Sequence, residues 1–414
     1  MGAGAARPRR PAIESEHGFS EYVGSGIMRA VVCHQGELSV TEVPTPEPGP
    51  GQVLLRVRRA GICGSDLHAR THCDATADVT AEVGYDAFMR MDQSVVMGHE
   101  FVGDVVSYGP KCRKKWAPGT SVVALPMVLN GSDPHLTGLS EHAPGAYAEF
   151  VIVSEDMTME VPDGVSLAQA ALTEPLAVAY HAVRRGAPGK RDTSVVIGCG
   201  PIGLAVIAVL KAIGVKTVIA SDLSAGRREL ARQVGADIVV DPKIDSPWDK
   251  VIEKGKYMSQ AEELFATAFD AMHKLRRIPL INWAKVIRLG DKLGAVSSGP
   301  VVFECVGVPG MLEQVMTGAP LRSRIVVVGV CMEPDTIRPV MGINKELELR
   351  FAFAYDPGEF YDTLQLIASG KVEIDPLITA TIGLDGVAQA FEVLGSAEHH
   401  AKVLIDPASD AVAL

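Results

Sequence analysis

Several features that define special classes of protein are scarce in this chain. Its 414 residues hold 7 cysteines, an odd number without a recurring spacing. Small secreted domains pair their cysteines, so these are interpreted as free thiols of a reducing compartment. One apolar stretch, residues 195–210, is short for a bilayer and is interrupted by three glycines and a proline. We therefore predict a cytoplasmic protein without a membrane segment.

Positive charge is also scarce. The formal net charge is −11, and the one short basic cluster, residues 111–115, is interpreted as a solvated loop. Nucleic-acid surfaces need clustered Lys and Arg, so no nucleic-acid partner is expected. Residues 1–27 lack the apolar core of a secretory signal and are predicted to be a disordered or loosely ordered tail.

The length exceeds one ordinary core, so two domains are expected. Residues 28–179 contain alternating strand-like segments and are predicted to be all-β with irregular loops. In residues 180–349 strands and helices alternate, which predicts a parallel sheet with crossover helices. A helical insertion is expected at about 245–298, and residues 350–414 are predicted to return to the first domain.

The hexapeptide GCGPIG is a candidate cofactor motif. It supplies Gly198, Gly200 and Gly203 with Pro201 and Ile202 between them, after an apolar strand and at the start of a helix. Glycines at these positions allow a tight turn and close approach of a pyrophosphate to the helix N-terminus. A purely structural glycine turn is the alternative, but the strand and helix on either side favour dinucleotide binding.

An acidic residue follows at the expected place. Asp222 ends the next predicted strand, 19 residues beyond Gly203, where a carboxylate can bind a ribose 2′-hydroxyl. This carboxylate would repel a 2′-phosphate, so NAD is predicted rather than NADP. Arg227 either stacks on the adenine or covers a helix face.

The stretch VVMGHEFVGDVV, residues 95–106, places His99 and Glu100 between two apolar runs. They are either the solvated residues of a turn or ligands of a metal. Zinc accepts thiolate, imidazole and carboxylate, and Cys63 and Glu174 are further candidate ligands. The alternatives are that Cys63 is a small buried apolar residue and that Glu174 starts a helix.

The residues after Cys63 fit proton transfer. Ser65 is a hydroxyl close to the candidate thiolate, and His68 follows three residues later. Asp66 could orient a ligating histidine. Ser65 and Asp66 could equally cap a helix and occupy its first turn.

Taken together, these motifs resemble the zinc-dependent medium-chain alcohol dehydrogenases, in the branch of polyol and threonine dehydrogenases. The resemblance runs in the family's order over nearly everything from Met28 onward. It is carried by GICGSDLH, GHEFVGDVVSYG, GAYAEFVIV, TEPLAVAYHA, GCGPIGL and SDLSAGRRELARQVGAD. It implies an α/β fold, with a GroES-like β catalytic domain and a Rossmann domain built on a doubly wound parallel sheet.

The resemblance also implies roles for individual residues. Zinc is expected on Cys63 and His99, with Glu174 as third ligand or water-bridged partner and Glu100 as a nearby carboxylate that can exchange in. Ser65 would accept the hydroxyl proton and pass it through the nicotinamide ribose to His68. The implied function is NAD-dependent oxidation of a polyol, amino-alcohol or simple alcohol.

The chain departs from the family pattern in two places. The region after residue 122 contains no cysteine where many members bind a structural zinc with four, so one zinc is predicted. The stretch between Cys63 and His99 is longer than usual. The family associates through an edge strand, which predicts a homodimer or homotetramer through RIVVVGVCM, residues 324–332.

Two competing functions remain. One is a zinc-free, NADPH-dependent reductase of quinones or enones from the same superfamily. Asp222, Cys63 and His99 argue against it. The other is a non-catalytic NAD(H)-binding protein, which the presence of Ser65 and His68 disfavours.

Overall fold

A computed structural model describes residues 26–253, 257–292, 299–395 and 400–414. The predicted tail lies outside the described residues as far as residue 25. Within the described part, no helix is long and apolar enough to cross a membrane.

The amino-terminal part is dominated by strands. Its elements are β1 (Ile27–His34), β2 (Glu37–Pro44), β3 (Gln52–Gly61), α1 (Gly64–Glu82), β4 (Val95–Val96), β5 (Glu100–Tyr108), β6 (Ser121–Ala124), β7 (Met127–Asn130), β8 (Asp133–Leu136), β9 (Phe150–Ser154) and β10 (Thr158–Glu160). Strands β1 and β2 form a hairpin whose two turn residues, Gln35 and Gly36, both have positive φ, at 50° and 77°. This conformation matches the right-handed twist of the paired strands.

Helix α1 corrects the prediction that this part is all-β with irregular loops. The helix has 19 residues and a kink at His72, where φ is −133°. Its buried positions recur at helical spacing, but three of them are small residues and one is a carboxylate. They are Asp66, Ala69, Cys73 and Ala77. A pattern without large apolar side chains gives little periodic signal, so the helix was not predicted.

The following part alternates strands and helices as predicted. Its elements are α2 (Leu167–Ala170), α3 (Thr173–Gly186), β11 (Thr193–Ile197), α4 (Pro201–Ala212), β12 (Thr217–Ser221), α5 (Ala225–Gln233), β13 (Ile238–Val240), α6 (Pro247–Ile252), α7 (Ala261–Arg276), α8 (Trp283–Lys292), β14 (Val301–Glu304), α9 (Met311–Gly318), β15 (Arg324–Val327), α10 (Pro339–Lys345) and β16 (Glu348–Phe351). Six strands form one parallel sheet in the order β13-β12-β11-β14-β15-β16. The predicted parallel sheet is confirmed.

The predicted edge strand is wrong. Strand β15, which lies within residues 324–332, pairs with β14 on one side and with β16 on the other. Strand β16 is therefore the edge of this sheet in the described chain.

The last elements join the first sheet. They are α11 (Pro357–Ala368), β17 (Ile378–Ile382), α12 (Val387–Gly395) and β18 (Lys402–Ile405). Strand β18 pairs with β17 and is antiparallel to β3, in the sheet order β10-β6-β5-β3-β18-β17 with β9 also on β3. The domain limits 28–179, 180–349 and 350–414 stay a prediction.

The insertion is helical where the structure describes it. Helices α6, α7 and α8 fall within it, whereas residues 254–256 and 293–298 lie outside the described chain. No residue of α7 is buried, and Phe269 is 78% exposed. Helices α7 and α8 therefore add little to the core.

The core of the parallel sheet provides a stability test. Phe303 in β14 is 0% exposed, so Phe303→Ala removes a ring from a packed interior. We expect a loss of about 3–5 kcal/mol in the free energy of unfolding. Phe269→Ala on α7 is the matched control and should change it by less than about 0.5 kcal/mol. Urea unfolding of both variants measures the difference, and equal losses would contradict this packing.

Candidate metal centre and cofactor site

The turn between β4 and β5 explains the position of His99. Gly98 has φ of +102°, and a Cβ built on it would lie 2.4 Å from Cδ1 of the Tyr147 ring. Only glycine combines this backbone conformation with room for the ring. His99 follows at the start of β5 and is buried, so it is not a solvated turn residue.

Three potential ligands meet at the ends of two neighbouring strands. Strands β3 and β5 are antiparallel, with Gly61 opposite Glu100. Cys63 follows β3, and His99 and Glu100 begin β5. One ligand atom from each of Cys63, His99 and Glu100 lies within 4.8 Å of the others, and no further group of three was found among the described residues. The predicted convergence of Cys63 with His99 is therefore present.

The Asp66 carboxylate orients the imidazole of His99. Asp66 Oδ1 lies 3.1 Å from His99 Nδ1, the contact suggested by the sequence. Asp66 Oδ2 accepts hydrogen bonds from the Tyr147 hydroxyl at 2.5 Å and from the Cys63 backbone N–H at 3.0 Å. Burial raises the pKa of Asp66, but His99 and these donors outweigh it and lower the pKa overall. Nε2, the other ring nitrogen of His99, lies 3.2 Å from Ser65 Oγ.

Burial disfavours the thiolate form of Cys63. Burial, followed by the charge of Glu100, raises the pKa of Cys63 above its usual value. A thiolate at this position therefore needs a cation beside it, which is the condition that a bound metal fulfils.

Glu100 has a partner that the sequence did not reveal. Lys402 Nζ lies 2.7 Å from Oε1 and 2.7 Å from Oε2 of Glu100, and it donates to the Ile62 carbonyl at 3.0 Å. The lysine is 1% exposed. Burial lowers the pKa of Lys402, but the charges of Glu100 and Cys63 raise it by more. The pKa of Lys402 is therefore above its usual value. The only sign of this buried lysine in the sequence is a single charged residue within the apolar segment AKVLI, residues 401–405.

Glu174 lies at the start of α3 and is buried, but it is not part of the group of three. Its Oε1 accepts a hydrogen bond from the Tyr355 hydroxyl at 2.9 Å. Burial raises the pKa of Glu174 to about 7. Tyr355 is a second partner missed from the sequence, because it lies 181 residues away along the chain.

Ser65 and His68 lie on the first two turns of α1. Ser65 is exposed and its Oγ lies 3.2 Å from His99 Nε2. His68 is three residues further on, so it projects from the same face of the helix. Partial burial, followed by the charge of His72, lowers the pKa of His68.

The glycine motif has the predicted setting between β11 and α4. Gly198 has φ of +90°, Gly200 precedes the helix and Pro201 is its first residue, followed by Ile202. A Cβ on Gly203 would lie 1.9 Å from the Gly198 carbonyl oxygen. The conformation of the loop therefore requires glycine at positions 198 and 203. No atom lies within 4 Å of a Cβ built on Gly200, so the backbone there is accessible.

Asp222 connects this loop to the next strand. Its Oδ2 accepts from the Cys199 N–H and its Oδ1 accepts from the Ser224 N–H, both at 2.7 Å. A cavity of about 950 Å³ opens here, lined among others by Gly198, Asp222, Ser224 and Arg227. Its size and its glycine-rich edge suit part of a dinucleotide.

Two family models match the chain. Residues 49–163 match the alcohol dehydrogenase GroES-like domain, and residues 201–274 match the zinc-binding dehydrogenase model. Together with the fold and the converging side chains, these matches make the chain similar to the zinc-dependent medium-chain polyol dehydrogenases. The predicted combination of GroES-like and Rossmann domains is confirmed.

Named relatives extend over most of the chain. An (R,R)-butanediol dehydrogenase of Bacillus subtilis is 29% identical over 399 residues, covering 92% of this chain and 100% of the relative. A sorbitol dehydrogenase of Gallus gallus is 28% identical over 376 residues, covering 88% and 92%.

Solved structures agree with these relatives. The crystal structure of 2R,3R-butanediol dehydrogenase from Bacillus subtilis is similar with a TM-score of 0.69 and 28% identity, over 92% of this chain and 99% of that one. A protein from Sinorhizobium meliloti 1021, solved with NADP bound, gives a TM-score of 0.69 and 27% identity over the same shares.

The Gly98 turn provides a test of the site's framework. Gly98→Ala and Gly131→Ala both place a side chain at positive φ, which costs about 1–2 kcal/mol in each case. Only the first also overlaps the Tyr147 ring, since nothing lies within 4 Å of a Cβ at Gly131. We expect Gly98→Ala to lose about 1–3 kcal/mol more in urea unfolding. Equal losses would show that Tyr147 does not constrain the turn.

Proposed function

We propose that this chain is a zinc-containing, NAD-dependent alcohol dehydrogenase. The observation that carries the proposal is the convergence of a thiol, an imidazole and a carboxylate from Cys63, His99 and Glu100 within 4.8 Å. The relatives named as butanediol and sorbitol dehydrogenases support a polyol or another alcohol as substrate. In the proposed reaction, an alcohol carbon gives a hydride to nicotinamide and the hydroxyl proton leaves to solvent.

The donor set fits zinc. Cys63 and His99 would hold the ion, with a carboxylate from Glu174 or Glu100 as the third protein donor. When bound, zinc supplies Lewis acidity toward the oxygen of an alcohol. Asp66 keeps the imidazole in place through its contact with Nδ1. We propose one ion in each chain, because the segment after residue 122 has no cysteine to hold a second.

Proton transfer is assigned to two residues of α1. Ser65 Oγ lies beside His99 Nε2, so it is in place to accept a proton from a hydroxyl group bound at the centre. The exposed imidazole of His68 then receives that proton and releases it to water. When bound, the nicotinamide ribose would supply hydroxyl groups between Ser65 and His68.

NAD is the proposed cofactor. Both oxygens of Asp222 are anchored by backbone N–H groups, which fixes the carboxylate at the edge of the cavity. A fixed negative charge there favours ribose hydroxyls and disfavours a 2′-phosphate. Gly198, Gly200, Pro201, Ile202 and Gly203 would receive the pyrophosphate, and Arg227 lines the same cavity.

We also propose a cytoplasmic homodimer or homotetramer. The free edge of β16 supports association, since β16 pairs only with β15 in the described part of the sheet. Phe351 at its end is 65% exposed, and Phe353 just beyond is 89% exposed. Seven unpaired cysteines support a reducing compartment.

The metal's role is tested with Cys63→Ser. We expect this variant to lose bound zinc and all turnover while it retains NADH binding, because the thiolate is the strongest donor for zinc in the set. Metal analysis, NADH fluorescence titration and a screen of diols, sugar polyols, amino-alcohols and simple alcohols measure this. Cys112→Ser is the matched control and should keep zinc. Full activity in metal-free Cys63→Ser protein would refute the proposal.

Cofactor choice is tested with Asp222→Ser. Removing the fixed carboxylate should raise the ratio of NADP to NAD specificity, measured as kcat/KM, by about tenfold or more, which corresponds to about 1.4 kcal/mol. Asp249→Ser removes the same charge from another part of the cavity wall and serves as control. An unchanged ratio in Asp222→Ser would show that this carboxylate does not select the cofactor.

A further inference from the structure

We propose that helices α7 and α8 bind the surface of anionic phospholipid bilayers through the segment that connects them. This connecting segment, residues 277–282, would enter the apolar layer of the bilayer. The basic residues on either side of it would contact lipid phosphates. The binding is peripheral and does not depend on the proposed metal centre.

The two helices and their connecting segment expose many large apolar side chains. Eight such side chains lie between positions 265 and 289, and they are Phe265, Phe269, Ile278, Leu280, Trp283, Val286, Ile287 and Leu289. No residue of α7 is buried. Clustered apolar surface of this kind is typical of a site that contacts a partner.

The connecting segment holds its apolar residues in a defined turn. The Ile278 N–H donates to the Leu275 carbonyl at 3.3 Å after the end of α7, and Asn282 Oδ1 caps α8 by accepting from the Lys285 N–H at 3.1 Å. Between them, Leu280 has φ of +65° and is 107% exposed. This conformation is unfavourable for leucine, and no burial within the described chain offsets it. An apolar environment outside the protein would do so.

The surroundings of the connecting segment are basic, although the chain has a net charge of −11. Residues 271–290 contain five Lys or Arg and no Asp or Glu, and the five are Lys274, Arg276, Arg277, Lys285 and Arg288. All five are exposed. Lys274 pairs with Asp270 at 2.6 Å, and within the described residues no ion pair engages the other four. The charge therefore favours an anionic partner.

A lipid bilayer satisfies both features at once. It presents phosphates directly above an apolar layer, so a short segment can reach both. Trp283, the first residue of α8, is of the type that favours this boundary. Nucleic acid would satisfy the charges but would leave Ile278 and Leu280 in water. A second copy bound through the same surface would bring two sets of these positive charges together.

The first test uses the full-length protein and large unilamellar vesicles, with binding measured by sedimentation. We expect vesicles of mixed phosphatidylglycerol and phosphatidylcholine to bind at least about tenfold more tightly than vesicles of phosphatidylcholine alone. Added salt should weaken the binding, since it screens exposed charges. Folded protein that binds neither kind of vesicle would overturn the proposal.

The apolar contact is tested with Leu280→Ser. We expect binding to the anionic vesicles to weaken by about tenfold or more, because the leucine side chain would no longer leave water. Leu129→Ser, at a leucine in β7 that is 55% exposed, is the matched control and should bind like the unsubstituted protein. Urea unfolding checks that both variants are folded. Unchanged binding in Leu280→Ser would show that the segment does not enter the bilayer.

The basic contact is tested with the double variant Arg277→Gln with Lys285→Gln. Each basic residue near an anionic surface contributes about fivefold, so binding should weaken by roughly twentyfold. Lys111→Gln with Lys114→Gln removes the same charge from the other basic cluster and should leave binding unchanged. Equal losses in the two double variants would indicate general attraction of positive charge and contradict a specific site.

Tryptophan fluorescence separates insertion from adsorption. We expect anionic vesicles to shift the emission to shorter wavelength, and Trp283→Phe to keep vesicle binding but lose this shift. Binding without any shift in the unsubstituted protein would be adsorption alone and would refute insertion. Absence of vesicle binding together with a smaller oligomer for Leu280→Ser in gel filtration would assign the segment to contacts between copies instead.

Discussion

Strands β3 and β5 are antiparallel neighbours, and the end of one lies beside the start of the other. This register, with Gly61 opposite Glu100, brings the residue after β3 and the first residues of β5 to one place. The alignment includes two irregularities along the strand pair, and a slip by one residue would reverse the faces of all its side chains. Gly61 is part of the same constraint, because any side chain there would overlap the Glu100 carboxylate. The meeting of Cys63 with His99 depends on this alignment.

Three carboxylates lie buried at the candidate metal centre, and each has a hydrogen-bond partner from a distant segment of the chain. The pairs are Asp66 with Tyr147, Glu100 with Lys402, and Glu174 with Tyr355. Buried polar groups without partners are costly, so these contacts allow the site to exist inside the protein. They also divide the carboxylates by role, since one orients an imidazole, one balances an ammonium and one is held only by a neutral hydroxyl.

The sequence predicted the features whose determinants are local. The glycine loop is recognisable because Gly198 needs a positive φ and Gly203 needs the absence of a side chain, and both requirements fall within six residues. Helix α1 was missed because its buried face contains small residues and a carboxylate. Lys402 was missed because its partner lies 302 residues away, and no local pattern encodes such a contact.

Strand β18 brings a positive charge to the centre from a point far along the chain. The thiol, the imidazole and both candidate carboxylates belong to the first 174 residues, but the ammonium that neutralises Glu100 comes from position 402 of 414. During synthesis, a nascent chain that already contains every donor still has an uncompensated acid at its centre. A chain that has not yet been synthesised as far as β18 therefore lacks the positive charge that balances Glu100 in this interior.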